Sequence, residues 1–394
     1  MYKKTIYACY AGYITQAVVN NLAPLLFVLF MSTFAIPLSE IAFLTTFNFL
    51  TQLSVDLVSA GIVDQIGYRF SAVAAHVFAA AGLIALAILP QIMPPFAGLL
   101  VACILYSIGG GLIEVIISPI VEACPSEDKA RAMSLLHSFY CWGSAGVIII
   151  STLMMHVFGK HNWFILPLFW SLLPIVNGIV FTRVPINTLV SDHEHFNIGA
   201  LLKNKLFLLL AVLMVMAGAS ELAISQWASA FAEAGLHVSK EIGDLAGPCM
   251  FALLMGSSRL LYSRYGKAEN LSKMIRYSAV LCIAAYLLAS LSPSAPLALL
   301  GCAVCGFSVG IFWPGIFSIA SEAMAGGTAM FALLALAGDI GCSLGPTVVG
   351  QMAGFFHDSL NIGLLCAVIF PVCLLLCMGF FVSTNSSKRK EEKI

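Results

Sequence analysis

Apolar stretches of at least 18 residues recur from one end of this chain to the other. Each is long enough to cross a hydrocarbon core of about 30 Å as a helix. Strands of a membrane barrel would be shorter and would alternate in polarity. The expected fold class is therefore an all-α membrane protein. Composition agrees: 60% of the 394 residues are hydrophobic and 10% are charged, against roughly a quarter charged in a soluble domain. A lipid bilayer is the expected surrounding.

Cutting at Pro, Gly and charge clusters gives spans over 5–34, 38–62, 70–89, 96–122, 131–157 and 163–182, then 205–232, 241–262, 274–291, 297–322, 328–355 and 361–383. An N-terminal Met-Tyr-Lys-Lys before an apolar run has the form of a signal peptide, but the run continues to Phe34 without a small-x-small cleavage site, so it reads as a retained helix. With both termini in the cytoplasm, 17 of the 19 Lys and Arg residues fall on the inside, Arg259 near the end of the span 241–262 among them, and only Lys160 and Lys240 fall outside. That asymmetry is the positive-inside signal, and an odd number of spans would scramble it.

The longest central polar break divides the spans six and six. The predicted organisation is a six-helix bundle over 1–182, a cytoplasmic linker over 183–204, a second bundle over 205–383 and a cytoplasmic tail over 384–394. His193 and His195 in the linker have too few neighbouring ligands for a metal site. The 12 cysteines lie mostly inside apolar runs, where a thiol packs as a small hydrophobe; Cys302 and Cys305 are read the same way. Gly109-Gly110-Gly111 lacks the G-K-[ST] of a phosphate loop. No cofactor or metal is expected, and a formal net charge of zero offers nucleic acid no general attraction. An enzyme would need a nucleophile with a base or a metal cluster, and neither is seen.

Carboxylates at bilayer depth cost at least ~2.5 kcal/mol on insertion scales and usually face a cavity or a partner. Glu114, Glu221, Asp339 and Asp56 are in that position. Asn48, Gln52 and Asp56 form an i, i+4, i+8 series on one side of span 2. Asp56 then lies ~12 Å nearer the cytoplasm than Asn48, a depth that suits a gate. Gln16, Asn20, Asn21, His137 and Gln226 extend the polar set, with Tyr140, Trp142, Trp227 and Trp313 as aromatic partners. Sugar hydroxyls take bidentate polar partners and the C–H face packs on rings, although the same mixture suits other small polar solutes. For each aromatic residue, ordinary packing is the competing reading. His137 is either a relay group, since imidazole titrates near pH ~6.5, or a packed neutral side chain.

A shift of about 200 positions superposes Asn20-Asn21 on Ser220-Glu221 and Ile120-Val121-Glu122 on Ala320-Ser321-Glu322, and Gly67 meets Gly266 at 199. Two parallel halves with a site at mid-membrane describe one transporter architecture. After span 2, Ala60-Gly61-Ile62-Val63-Asp64-Gln65-Ile66-Gly67-Tyr68-Arg69 resembles the G-x-x-x-D-R-x-G-R-K signature of the major facilitator superfamily. Asp64, Gly67 and Arg69 match, whereas Ala60 and Gln65 depart. In that likeness Asp64, Gly67 and Arg69 are gating positions, because a carboxylate at a helix end can bond its neighbours in one conformation only.

Four segments are similar to the fucose permease (fucose:proton symporter) branch: Asn20-Asn21-Leu22; Gly111-Leu112-Ile113-Glu114 through Ser118-Pro119; Ser134 to Gly143 around His137; and Trp313-Pro314-Gly315-Ile316-Phe317-Ser318. The resemblance implies a proton-carrying role for Glu114. It departs at Pro24, where that branch has a carboxylate. The expected function is proton-coupled symport of a sugar or similar small polar solute by alternating access, with Glu114, Glu221 and Asp339 as proton-coupling candidates. Antiport of amphipathic drugs or metabolites and sodium-coupled symport are the alternatives. The chain is expected to be a monomer in the cell (inner) membrane.

Overall fold

The computed structural model describes residues 2–125, 129–186, 198–265, 271–324 and 327–391. Residues 187–197 of the linker, His193 and His195 among them, and the side chains of Asp64, Glu122 and Glu322 lie outside the described residues. The described chain is helical throughout, without strands. Among the described residues, eleven helices are long and apolar enough to cross a membrane, and the bent pair Lys3–Leu25 and Phe27–Phe34, taken as one span, makes twelve.

In chain order, span 1 is that pair; span 2 is Leu38–Ile66, span 3 Tyr68–Ile92, span 4 Pro95–Ala123, span 5 Lys129–Phe158 and span 6 Ile165–Arg183. Span 7 starts as Lys205–Ser225 and ends in a π-turn over Phe231–Gly235; span 8 starts at Lys240–Asp244 and continues as Met250–Tyr265. Span 9 is Leu271–Leu291, span 10 Ala295–Val309 with Phe312–Ala323, span 11 Gly327–Phe355, and span 12 Leu360–Ala367 with Ile369–Glu391.

Several of the expected unbroken spans are in fact interrupted, spans 1 and 10 among them. Span 1 turns by 45° between its two helices. Pro24 lies just before the bend; it has no N–H for the Asn20 carbonyl, and its ring crowds that carbonyl. Span 10 breaks at Gly310 and Ile311. There Pro314 cannot donate to the carbonyl four residues back, which is that of Gly310.

By contacts the chain divides into a first unit, Met1–Asp192 with Ala228–Leu253, and a second unit, His193–Trp227 with Leu254–Ile394. In the first unit Ile113, Ile116, Ile117 and Ile120 repeat at helical spacing along one face of span 4. They pack against Cys9 and Tyr13 of span 1, Ala72 and Ala75 of span 3, and Phe181 of span 6. Ala228–Leu253 joins this unit through Cys249 and Ala252, which pack with Leu25, Ala145 and Ile148. In the second unit, span 11 lies against span 7 at Gly341 and Gly345. A Cβ there would sit 2.0 Å from the Val215 carbonyl oxygen and 2.4 Å from that of Ala219. Small residues permit this approach where lipid supplies no hydrophobic drive between helices.

The triple glycine of span 4 has a packing explanation. Successive helical residues are turned ~100° from one another, so the three glycines face three neighbours. A Cβ on Gly109 would lie 2.4 Å from the Ala79 amide nitrogen of span 3, one on Gly110 2.8 Å from Gln16 Oε1 of span 1, and one on Gly111 3.0 Å from the Gln52 carbonyl of span 2. Gly109→Ala is expected to destabilise the protein by about 1–3 kcal/mol, as overpacking does. Gly146→Ala, which meets nothing within 4 Å, is the matched control and should hold or raise the thermal midpoint.

Candidate functional site

Spans 1, 2, 4 and 5 of the first unit converge on a polar network. Gln16 and Asn20 are one turn apart on span 1, and Asn48 and Gln52 are one turn apart on span 2, so each pair shares a face. Gln16 Nε2 donates to Gln52 Oε1 at 2.7 Å and to Glu114 Oε2 at 3.2 Å. Gln52 Nε2 donates to Asn20 Oδ1 at 2.9 Å and to Asn48 Oδ1 at 3.0 Å, and Asn48 Nδ2 donates to Asn20 Oδ1 at 3.1 Å. Ser107 of span 4 closes the set with a 2.6 Å bond to Asn48 Oδ1.

The network extends to span 5, where Asn20 Nδ2 donates to the Tyr140 hydroxyl at 3.5 Å and Asn21 Nδ2 to Ser144 Oγ at 3.1 Å. Glu114 is half-buried at its edge. Gln16 Oε1 is buried and accepts no hydrogen bond among the described residues. A buried unsatisfied acceptor costs about 1–3 kcal/mol, and this one faces Gly110 of span 4.

Other predicted positions are placed differently. His137 is exposed, with its ring 5.1 Å from that of Tyr13. Trp142 is 45% exposed. Asp56 is half-buried one turn beyond Gln52. Gly67 has φ +86°, in the left-handed region that favours glycine. Arg69 donates to the carbonyls of Phe181, Thr182 and Val184 at 3.0, 2.7 and 2.9 Å, and so caps the end of span 6.

In the second unit Trp227 is fully buried and donates Nε1 to the Pro346 carbonyl at 2.9 Å, while Gln226 and Asp339 are also buried. Trp313 lies over Gly338, where a Cβ would be 2.4 Å from its Cη2. Glu221 is buried on span 7, next to Ser220, whose carbonyl accepts from the Tyr286 hydroxyl at 2.8 Å.

Three features escaped the sequence reading. Arg259, counted there on the cytoplasmic side, lies within helix Met250–Tyr265, and its Nη2 is 3.6 Å from Glu221 Oε2. The expected span 241–262 already holds it, but spacing along the chain does not give its partner on span 7. Lys240, assigned to an outside loop, is the first residue of its helix and is buried with Asp244, a fifth deep carboxylate. Their i, i+4 spacing was the available signal. Finally, His76 Nδ1 pairs with the Ala72 carbonyl at 2.7 Å and Nε2 with Asn177 Nδ2 at 2.8 Å; Asn177 also donates to the Ala8 carbonyl at 3.0 Å. This trio ties spans 1, 3 and 6 together.

The pattern of the Major Facilitator Superfamily matches residues 9–346. The chain belongs to that superfamily of membrane transporters. It resembles the structure of a bacterial homolog to the human lysosomal transporter Spinster in an inward-facing and occupied conformation, with a TM-score of 0.74 and 13% identity over 97% of this chain and 96% of that one. A nucleoside transporter, NupG, gives a TM-score of 0.75 and 13% identity over 95% and 98%. A D-xylose-proton symporter gives 0.75 and 12% over 95% and 96%. At such identities the likeness is one of fold. Among curated proteins none matches the chain by sequence.

Proposed function

We propose that this protein is a secondary active transporter that couples proton entry to symport of a sugar or similar small polar solute by rocker-switch alternating access. The observation that carries the reading is the amide network of Gln16, Asn20, Asn48 and Gln52 bonded to Glu114 within the membrane spans. Amides offer donors and acceptors together, as solute hydroxyls require, and the adjoining carboxyl can hold a proton. Glu114 is the first proton-coupling candidate, with Glu221 and Asp339 after it. Asn21, His137, Tyr140, Trp142, Gln226, Trp227 and Trp313 are further solute-contact candidates, and Asp56, Asp64, Gly67 and Arg69 the gate. The fucose permease branch remains the proposed affiliation.

The proposed organisation is two six-helix bundles, 1–182 and 205–383, joined by a cytoplasmic linker, with both termini cytoplasmic in the cell inner membrane and the chain working as a monomer. The similar D-xylose-proton symporter and nucleoside transporter support a polar solute over amphipathic drugs. The test is proton entry into proteoliposomes, read with a trapped pH dye as solutes are added outside. Sugars, sugar acids or nucleosides should drive acidification of the vesicle lumen. A response to lipophilic cations alone, or a response requiring sodium, would overturn the proposal.

A further inference from the structure

Arg259 is the second unit's intramembrane cation, and its position is set by the break in span 10. Pro314 leaves the Gly310 carbonyl without its helical donor, and Arg259 Nε approaches that oxygen at 3.4 Å. Gly310 itself permits this, since a Cβ there would lie 2.9 Å from the Met255 carbonyl and from Ser258 Cβ. The guanidinium is thereby held near the midpoint of span 10, where a lone charge is costly.

Its acidic neighbour is loosely engaged. The 3.6 Å separation from Glu221 Oε2 exceeds the ~2.7–2.9 Å of a charge-assisted hydrogen bond, and that buried oxygen accepts no hydrogen bond among the described residues. The Arg259 side chain is 25% exposed while that of Glu221 is 9% exposed, so the cation is the more accessible of the two. Trp313, three residues after Gly310, adds an aromatic face on the same span. A planar fork of donors matches a carboxylate bidentately.

We propose that Arg259 is a solute-binding residue selecting a carboxylate-bearing polar solute, such as a sugar acid, for which Glu221 competes on the same guanidinium. This rests on the symport reading and narrows its substrate class. A single guanidinium suits a singly charged carboxylate better than a phosphate dianion.

The test titrates D-glucuronate, D-glucose and glucose 6-phosphate against the purified full-length protein, read as thermal stabilisation, and repeats the proton-entry assay with each. Glucuronate should stabilise the wild type and drive proton entry. Arg259→Gln should weaken glucuronate about 10- to 100-fold, the loss of one charged hydrogen-bonding partner. Arg259→Lys should weaken it less, and Glu221→Gln should bind it at least as tightly as the wild type. The wild-type comparison keeps the test decisive if Arg259→Gln fails to fold. Proton entry driven by glucose but not glucuronate, or stabilisation by glucose 6-phosphate alone, would overturn the inference and leave symport standing. Proton entry with none of these or the other screened solutes would overturn symport, and the inference with it.

Discussion

Glu114→Gln is expected to abolish accumulation of solute against its gradient under an imposed pH difference, while exchange of labelled for unlabelled solute across the same vesicles continues. The expectation follows from the separation of duties around Glu114. Its Oε2 accepts from Gln16 Nε2 at 3.2 Å, and a glutamine at 114 retains a carbonyl oxygen for that bond at nearly unchanged volume. The amide cluster of Gln16, Asn20, Asn48 and Gln52 should therefore persist, and with it solute binding. Only the ability to carry a proton is removed, so the solute should come to equal concentration on both sides. Gln16→Ala is the contrasting variant. It strips Glu114 and Gln52 of a partner at once, an unsatisfied-group cost of about 1–3 kcal/mol, and should impair exchange as well as accumulation. Full accumulation by Glu114→Gln would remove Glu114 as the proton carrier and turn attention to Glu221 and Asp339.

Polar residues embedded in lipid-length apolar runs were legible because hydropathy and helical spacing are local properties. Asn48 and Gln52 announce a shared face by their separation alone, and their bonds to Asn20 lie on that face. Reach across helices is not local. Arg259 reads as a cytoplasmic-side cation near the end of span 8, and the decisive partner, the carbonyl left exposed by Pro314, lies 51 residues away. Trp142 shares a motif with His137, and both side chains are exposed. Motif membership fixes neighbours along the chain but not which way a ring faces. The bend at Leu26 and the break at Gly310 each lie close to a proline visible in the sequence; what composition could not convey is whether the neighbouring helices straighten such a span or exploit it.

Asp244→Ala should be among the most destabilising single substitutions in the chain, costing about 3–5 kcal/mol, because it strands a buried cation. Lys240 and Asp244 have side chains only 4% and 2% exposed and are 3.0 Å apart. Asp244 also accepts from Thr152 Oγ1 of span 5 at 3.0 Å and from Ser229 of span 7, while Lys240 Nζ reaches Ser229 Oγ at 3.1 Å. Glu233 lies 3.8 Å from Lys240 and takes a 2.7 Å bond from Lys160. The first unit is thus pinned where Ala228–Leu253 meets span 5, at the end that the proposed orientation makes outer. Removing both charges together is a different experiment. Lys240→Met with Asp244→Leu leaves no uncompensated ion and should recover most of the thermal midpoint lost by Asp244→Ala, as apolar replacements of buried pairs do. Under alternating access this cluster has to open whenever the outer side does, so the double variant should also label faster at a cysteine placed at Thr152. A thermal midpoint for Asp244→Ala equal to the wild type would mean that Lys240 finds water or another acid without cost, and the cluster would then be neither a clamp nor a gate.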